Sequence, residues 1–213
     1  MKLSILIATV IDRRAMFEVL YKEFLKQIDY NDYHDKVEVV YNEDNKEISV
    51  GRKRQLLLEE AKGEYIVFFD SDDFPSENYV RDIVVALETK IVYSENGKSK
   101  LGYADCVGFL IKMTTDGKNE QTCCHSLKYP TWDSGVDGYD YVRNVTHFNP
   151  VRRELALQVG FQDKRFGEDK DYSDRLTQLC KTEIFIDKHL FHYRYTTAVP
   201  SDIKYGLDKD AKQ

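Results

Sequence analysis

The stretch Gly63-Glu64-Tyr65-Ile66-Val67-Phe68-Phe69-Asp70-Ser71-Asp72-Asp73-Phe74-Pro75 decides the fold. Residues 65–69 are an unbroken run of β-branched and aromatic side chains. A strand with one wet face would alternate; an unbroken run fits a strand covered on both faces, as in the middle of a parallel sheet. The run stops at Asp70, Asp72 and Asp73. In open α/β sheets ligands sit beyond the carboxyl ends of the strands. Three carboxylates there repel one another unless a cation neutralises them, and the Asp-x-Asp spacing lets two of them reach one ion. Mg²⁺ and Mn²⁺ prefer oxygen ligands, and Mg²⁺ is often held by one or two carboxylates plus substrate phosphates. The stretch therefore reads as a site for a metal–diphosphate. The alternative is an acidic strand-to-helix turn with Asp73 or Ser76 capping the next helix. The buried strand before the turn and Pro75 after it favour the metal.

Upstream, Leu3–Val10 is apolar and β-rich, with Thr9 near its carboxyl end. Phe17, Leu20, Phe24 and Ile28 recur at spacings of three and four, which predicts a helix over about 13–27 with one apolar stripe. Residues 37–41 read as a second strand ended by the polar turn Asn42-Glu43-Asp44-Asn45. Ser49 is placed to cap a helix running to about residue 62, closed by Gly63 in the left-handed conformation. The first turn of that helix carries Arg52, Lys53 and Arg54. Cations there oppose the helix macrodipole. Either all three point into water, or Arg54, with Arg52 or Lys53, meets a phosphate. The first half thus reads β-α-β-α-β, with three strand ends facing one crevice.

The second half is built differently. A helix is expected over about 76–89, then a polar loop over 93–100. Residues 103–113 and 120–127 read as strands joined through the hairpin signal Asp116-Gly117. Residues 128–140 are too irregular to assign; Trp132 there is either an acceptor contact or a core plug. Asn149-Pro150 reads as a cap followed by a first-turn proline, opening a helix that Gly160 ends. Glu168-Asp169 precedes a helix over about 170–180. Acidic residues favour a helix start, and a carboxylate at the crevice edge also suits a general base that deprotonates an alcohol; the spacing leaves both readings open. Residues 183–187 and 190–195 read as two short strands carrying His189 and His192, and a late histidine can complete a metal shell begun by Asp72. The charged tail, 200–213, is read as mobile or folded over the site.

Composition narrows the function. The chain has 213 residues, enough for one α/β domain with a good core. With 31 basic against 37 acidic residues the net charge is −6, which argues against general nucleic-acid binding. Aromatics at 13% exclude a disordered chain. The four cysteines, Cys106, Cys123, Cys124 and Cys180, form no Cys-x-x-Cys pair, so a zinc site is not expected and free thiols in a reducing compartment are. Residues 3–11 are too short to span a bilayer and lack a cleavage site, so the protein is expected to be cytoplasmic, with any membrane contact peripheral.

Five segments in order resemble the family 2 glycosyltransferases of the GT-A fold, particularly the short phage and bacterial versions. They are Ser-Ile-Leu-Ile-Ala-Thr at 4–9, Ser-Val-Gly-Arg-Lys-Arg-Gln at 49–55, Ala-Lys-Gly-Glu-Tyr-Ile-Val-Phe-Phe-Asp-Ser-Asp-Asp at 61–73, Asn-Pro-Val-Arg-Arg-Glu-Leu-Ala at 149–156 and Phe-Gly-Glu-Asp-Lys-Asp-Tyr-Ser at 166–173, completed by His192. The resemblance covers nearly the whole chain. It implies an α/β, Rossmann-like domain with a mostly parallel central sheet and a smaller antiparallel acceptor-side portion. Residues 1–100 would form the nucleotide-sugar half and 101–213 the acceptor half. It implies inverting transfer of a sugar from a nucleotide donor, usually a UDP-sugar, with Mn²⁺ or Mg²⁺, to a glycan, lipid-linked, protein or modified-nucleobase acceptor. By resemblance Asp72 binds metal, Asp70 lies near ribose or metal with Ser71 beside it, and His192 is the late metal ligand. Thr9, Asn42, Glu43 and Arg54 face the donor, Asp169 is the base and Glu168 its acceptor-contacting neighbour. Two departures touch base preference: the first loop reads Ala-Thr-Val-Ile-Asp, and Asn42-Glu43 replaces the common Asp-Asp. The rivals are a nucleotidyltransferase, which would usually show a glycine-rich basic loop after the first strand, and a non-catalytic nucleotide- or glycan-binding module, which would lack the acidic pair.

Overall fold

The computed structural model describes residues 1–197. The expected tail over 200–213 lies outside them. In chain order the elements are β1 (Leu3–Val10), a 3-10 turn (Ile11–Arg13), α1 (Arg14–Asn31), β2 (Val37–Asp44), α2 (Val50–Glu60), β3 (Tyr65–Asp70), β4 (Phe74–Pro75) and α3 (Tyr79–Glu88). Then follow β5 (Lys90–Glu95), β6 (Lys98–Tyr103), β7 (Cys106–Thr115), β8 (Lys118–His125), β9 (Asp133–Ser134), β10 (Tyr141–Arg143), β11 (Val151–Arg152), α4 (Arg153–Val159), α5 (Glu168–Leu179) and β12 (Glu183–Tyr195).

One mixed sheet runs β2-β1-β3-β11-β7-β8-β10-β9, with β12 beside β7 and β4. β1 is parallel to both β2 and β3, as the β-α-β-α-β reading requires. The apolar run of β3 is divided between two cores. Tyr65, Val67 and Phe69 face one cluster with Leu3, Ile5 and Ile7 of β1 and with Phe17, Leu20 and Phe24 of α1 and Tyr79, Val80 and Ile83 of α3. Ile66 and Phe68 face the other, with Leu57 and Leu58 of α2, Ala156 of α4 and Tyr172 and Leu176 of α5. Helices on both faces explain why no polar residue interrupts residues 65–69. Beyond β3, the short β11 pairs antiparallel with it, and β7 and β8 continue as an antiparallel pair.

Several local expectations are corrected. β2 continues through Asn42, Glu43 and Asp44, which pair with Ala8, Thr9 and Val10, so these residues extend a strand and do not turn. α2 ends at Glu60 with Ala61 turning to extended backbone at ψ 139°, so Gly63 is no left-handed stop. Gly63 is required by a close approach: a Cβ there would lie 2.5 Å from the Ser4 nitrogen. Residues 93–100 form no polar loop but most of the β5–β6 hairpin, turned by Asn96 and Gly97 at φ 52° and 73°. Asn149 caps no helix; its amide donates to the Val107 carbonyl at 3.0 Å, and α4 begins only after β11. The two last strands are one, β12, with irregular register around His189. Neither Asp73 nor Ser76 caps α3, whose Asn78 cap makes no side-chain hydrogen bond.

Gly51 couples α2 to the loop ahead of α5. Its N–H donates to the Lys164 carbonyl at 3.1 Å, and a Cβ would meet the Gln162 carbonyl oxygen at 2.0 Å. Both contacts are backbone, so neither can swing away. Gly51→Ala should cost about 3 kcal/mol, the upper end of ordinary overpacking. Urea denaturation measures this; a loss under about 0.5 kcal/mol would show that the 160–164 loop yields freely.

Candidate functional site

A cavity of about 1100 Å³ opens over the carboxyl ends of β1 and β3. Thr9, Arg54, Asp70, Ser71, Glu168 and Asp169 all line it. Its outer wall is aromatic, with Trp132, Tyr141, Phe166, Tyr193 and Tyr195. Trp132 is exposed and packs on Tyr141 with ring centroids 5.5 Å apart, so it is a cavity wall and no core plug.

Arg54 ties the two halves of the site. Fully buried, its guanidinium donates to Asp70 Oδ1 at 2.7 Å and to Glu168 Oε1 at 2.5 Å. Burial works against its charge, yet Asp70 and Glu168 outweigh that and raise its pKa. Burial likewise opposes ionisation of Asp70, but the Arg54 guanidinium beside it holds its carboxyl well below the usual carboxylate range. Glu168 moves the other way, because burial and the nearby Asp169 and Asp70 charges exceed the pull of Arg54. The cations that looked misplaced at the start of α2 are therefore inward-facing. Lys53 is also buried, donating to the Thr9 carbonyl at 2.5 Å and to Asp44. Arg52 alone of the three points into water.

Glu168 and Asp169 open α5 behind Gly167, which caps it at φ 74°. Asp169 has no salt-bridge partner nearer than Arg143 at 3.9 Å, and its side chain is 34% exposed. It is the freer of the two carboxylates. At the opposite wall, Thr9 Oγ1 and Ser71 Oγ are buried with no hydrogen-bond partner. Asn42 and Glu43 do not line the cavity, and Glu43 is paired with Arg14.

The acidic turn splits into three environments. Asp70 is held by Arg54. Asp72 pairs with Arg13 at 3.0 Å, and Arg13 lines the cavity. Asp73 is buried; its Oδ1 accepts the Arg194 N–H at 3.0 Å and its Oδ2 has no partner. Burial, then the Asp70 charge, raises the Asp73 pKa well above normal. His192 does not join these residues. Its Nε2 lies 2.9 Å from Thr114 Oγ1, and it is absent from the cavity lining. The strand alternation that brings Tyr193 and Tyr195 to the cavity turns His192 away. Among the described residues no three His, Cys, Asp or Glu side chains stand close enough to hold a metal by themselves. The turn still suits a hard dication through oxygen. Asp72 is itself absent from the cavity lining but pairs with the half-exposed Arg13 that lines it, so it could supply a single carboxylate, with a diphosphate supplying the rest.

Two histidines line the cavity and went unread in the sequence, His125 and His147. Burial, then Arg143, lowers His125 to about 3. Burial, then Arg54, lowers His147 to about 4. Both are neutral rings at pH 7. No spacing marks them, since neither sits in a repeating pattern or beside another ligand type.

Comparison with known proteins bears on the fold and on part of the sequence. Residues 21–96 match the model of glycosyl transferase family 2. No curated protein sequence matches the chain. Among solved structures, S. aureus TarS 1-349 superposes with TM-score 0.61 at 16% identity, covering 91% of this chain and 60% of that one. TarS 1-349 in complex with UDP gives TM-score 0.61 at 15% identity, covering 97% and 63%. The catalytic domain of Drosophila β1,4-galactosyltransferase 7, in complex with xylobiose, gives 0.51 at 14% identity, covering 100% and 82%. The chain thus spans about 60% of the length of the TarS chains it matches.

Two substitutions test the electrostatics. Arg54→Met strands the buried Glu168 and takes the main partner from the partly exposed Asp70, and should cost about 3 kcal/mol in urea denaturation at pH 7; a loss under about 1 kcal/mol would mean that water already screens the cluster. His125 is protonated in an unfolded chain below about pH 6.5 but stays neutral in the folded one down to about 3. The folded state therefore binds fewer protons in that window, and this group lowers stability by about 1.4 kcal/mol per pH unit as pH falls. His125→Asn should make the slope of stability between pH 6 and 4 shallower by that amount; an unchanged slope would contradict a neutral buried ring.

Residues 21–96 thus match the glycosyl transferase family 2 model, and the chain as a whole shares the GT-A fold of the structures it superposes on.

Proposed function

We propose that the protein is an inverting glycosyltransferase that moves a sugar from a nucleotide-sugar, with a UDP-sugar as the first donor to test, onto an acceptor hydroxyl. One observation carries this: the tip of β3 and the start of α5, remote from each other in the chain, face one cavity and are joined there by Arg54. A nucleotidyltransferase has no need of a free carboxylate opposite the phosphate side. A binding module has no need to hold two more carboxylates in register with it.

The roles follow from the placement. Thr9 and Ser71 offer buried hydroxyls to the nucleotide at the strand tips. Asp72 would hold Mg²⁺ or Mn²⁺ together with the donor's phosphates, while Asp70, grouped with the metal by resemblance, stays paired with Arg54. A dication bound there would offset the negative charge that develops on the leaving diphosphate. Asp169 accepts the proton of the acceptor hydroxyl. The oxygen attacks the anomeric carbon on the face opposite the diphosphate, which departs with the bonding electrons, so configuration inverts. Glu168, fixed by Arg54, keeps the start of α5 in register. The acceptor enters between Trp132 and Phe166, both exposed at the cavity wall. Holding both substrates in line removes much of the entropic barrier. Among the described residues no helix is long and apolar enough to cross a membrane, and the four buried free thiols support a reducing, cytoplasmic setting.

Asp169→Asn should leave UDP affinity within about twofold and lower transfer at least about 100-fold; near-normal turnover would remove the base assignment. Because one carboxylate is a weak metal site, Mn²⁺ alone should give no measurable heat in titration calorimetry, whereas Mn²⁺ should tighten UDP binding about tenfold or more. Asp72→Ala should abolish that gain. UDP affinity indifferent to Mn²⁺ would refute the metal role.

A further inference from the structure

We propose that His147 is the specificity-determining contact for the transferred sugar, hydrogen-bonding one of its hydroxyls at the cavity floor. The inference rests on the donor reading above and adds to it a residue that neither the acidic turn nor the α5 start supplies.

Residues 144–150 form a wholly buried irregular segment, and its other polar groups are largely accounted for. The Phe68 N–H donates to the His147 carbonyl at 2.9 Å, which fixes the segment to β3. Asn149 Oδ1 accepts from the Thr146 N–H at 3.0 Å, Thr146 Oγ1 accepts from the Phe148 N–H at 3.2 Å, and the Asn149 N–H donates to the Thr146 carbonyl at 3.1 Å. Such a segment is held in one conformation. Yet the His147 ring, 2% exposed, has no hydrogen-bond partner at Nδ1 or at Nε2. Asp70 Oδ2 stands 3.8 Å from Nε2, too far for a hydrogen bond. Buried polar atoms are rarely left unpaired, and two on one ring represent a cost of the order of 1–3 kcal/mol each. The ring lines the cavity, so a ligand can satisfy it.

The chemistry of that ligand follows from the neighbours. A diphosphate is better met by the cations and hydroxyls at the strand tips. An acceptor comes from the aromatic mouth. His147 lies on the floor between, against Asp70 and packed on Phe148 with ring centroids 4.1 Å apart. A neutral imidazole offers one donor and one acceptor. A sugar hydroxyl has the same pairing of donor and acceptor, whereas a phosphate only accepts.

The test is titration calorimetry with Mn²⁺ present, using UDP, GDP, UDP-glucose, UDP-galactose, UDP-N-acetylglucosamine and GDP-mannose, on wild type, His147→Ala and His147→Gln. Wild type is expected to prefer one sugar nucleotide. His147→Ala should keep the affinity for the bare nucleotide within twofold, weaken the preferred sugar nucleotide about tenfold, and flatten the ranking among sugars. His147→Gln, which keeps a donor and an acceptor, should recover part of the loss and guards against misfolding of the alanine variant. Equal weakening of nucleotide and sugar nucleotide in both variants, or an unchanged ranking, overturns the assignment of His147 and leaves the donor reading intact. A wild-type protein that binds none of the six overturns the donor reading, and this inference with it.

Discussion

The structure depends on a single buried guanidinium. Arg54 sits at the junction of β3, α2 and α5, with Asp70 on one side and Glu168 on the other. A buried cation with one partner would be costly; with two hydrogen-bonded carboxylates and Phe161 5.9 Å from its centre it is accommodated. The pairing gives more than stability. It sets the distance between the end of a strand and the start of a helix that are remote in sequence. It also occupies Glu168, so Asp169 beside it is left free toward the cavity. On the proposed reading, this one side chain sets which carboxylate of the acidic pair is available as the base.

The fold was legible where physics acts locally. Residues 65–69 announce a doubly covered strand, and the structure sorts them alternately into two cores, as the pleat demands. The stripe of Phe17, Leu20, Phe24 and Ile28 marks α1 for the same reason. What escaped were features that tertiary contact decides. Gly63 resembles a helix stop, but its meaning lies in the Ser4 backbone across the sheet. Asn149-Pro150 matches a helix start, but the Asn149 side chain is spent on a carbonyl of β7. The β5–β6 hairpin is the exception, because Asn96-Gly97 between polar strands carried a local turn signal that the polarity of the flanking residues masked.

The site divides along the same line. Carboxylates at strand and helix ends stand out by position, although for Glu168 and Asp169 position left a helix start and a base equally open; Asp70, Glu168 and Asp169 all line one cavity. The direction of the three cations could not, because burial of Arg54 and Lys53 requires partners more than a turn of helix away. His192 was placed with the metal set by resemblance, and strand parity turns it toward Thr114. His125 and His147 had no signal at all. A lone histidine in an irregular segment becomes visible only when its surroundings leave it without a partner.

The acidic turn shows how the chain handles the repulsion that first drew attention to it. Three carboxylates in four residues seem to demand a cation, yet the protein meets the demand internally in three ways. Arg54 neutralises Asp70. Arg13 screens Asp72. Burial raises the pKa of Asp73 well above the ordinary carboxylate range, and the Arg194 N–H accepted by its other oxygen ties the turn to β12. The turn can therefore fold without a metal. Of the three, only the Asp72–Arg13 pair is exposed enough to exchange partners at small cost, since surface ion pairs are worth little. A dication arriving with a diphosphate brings its own oxygen ligands and needs only that one carboxylate. On the proposed reading, metal capture would be coupled to donor capture, with Arg54 and its two anions undisturbed through the exchange.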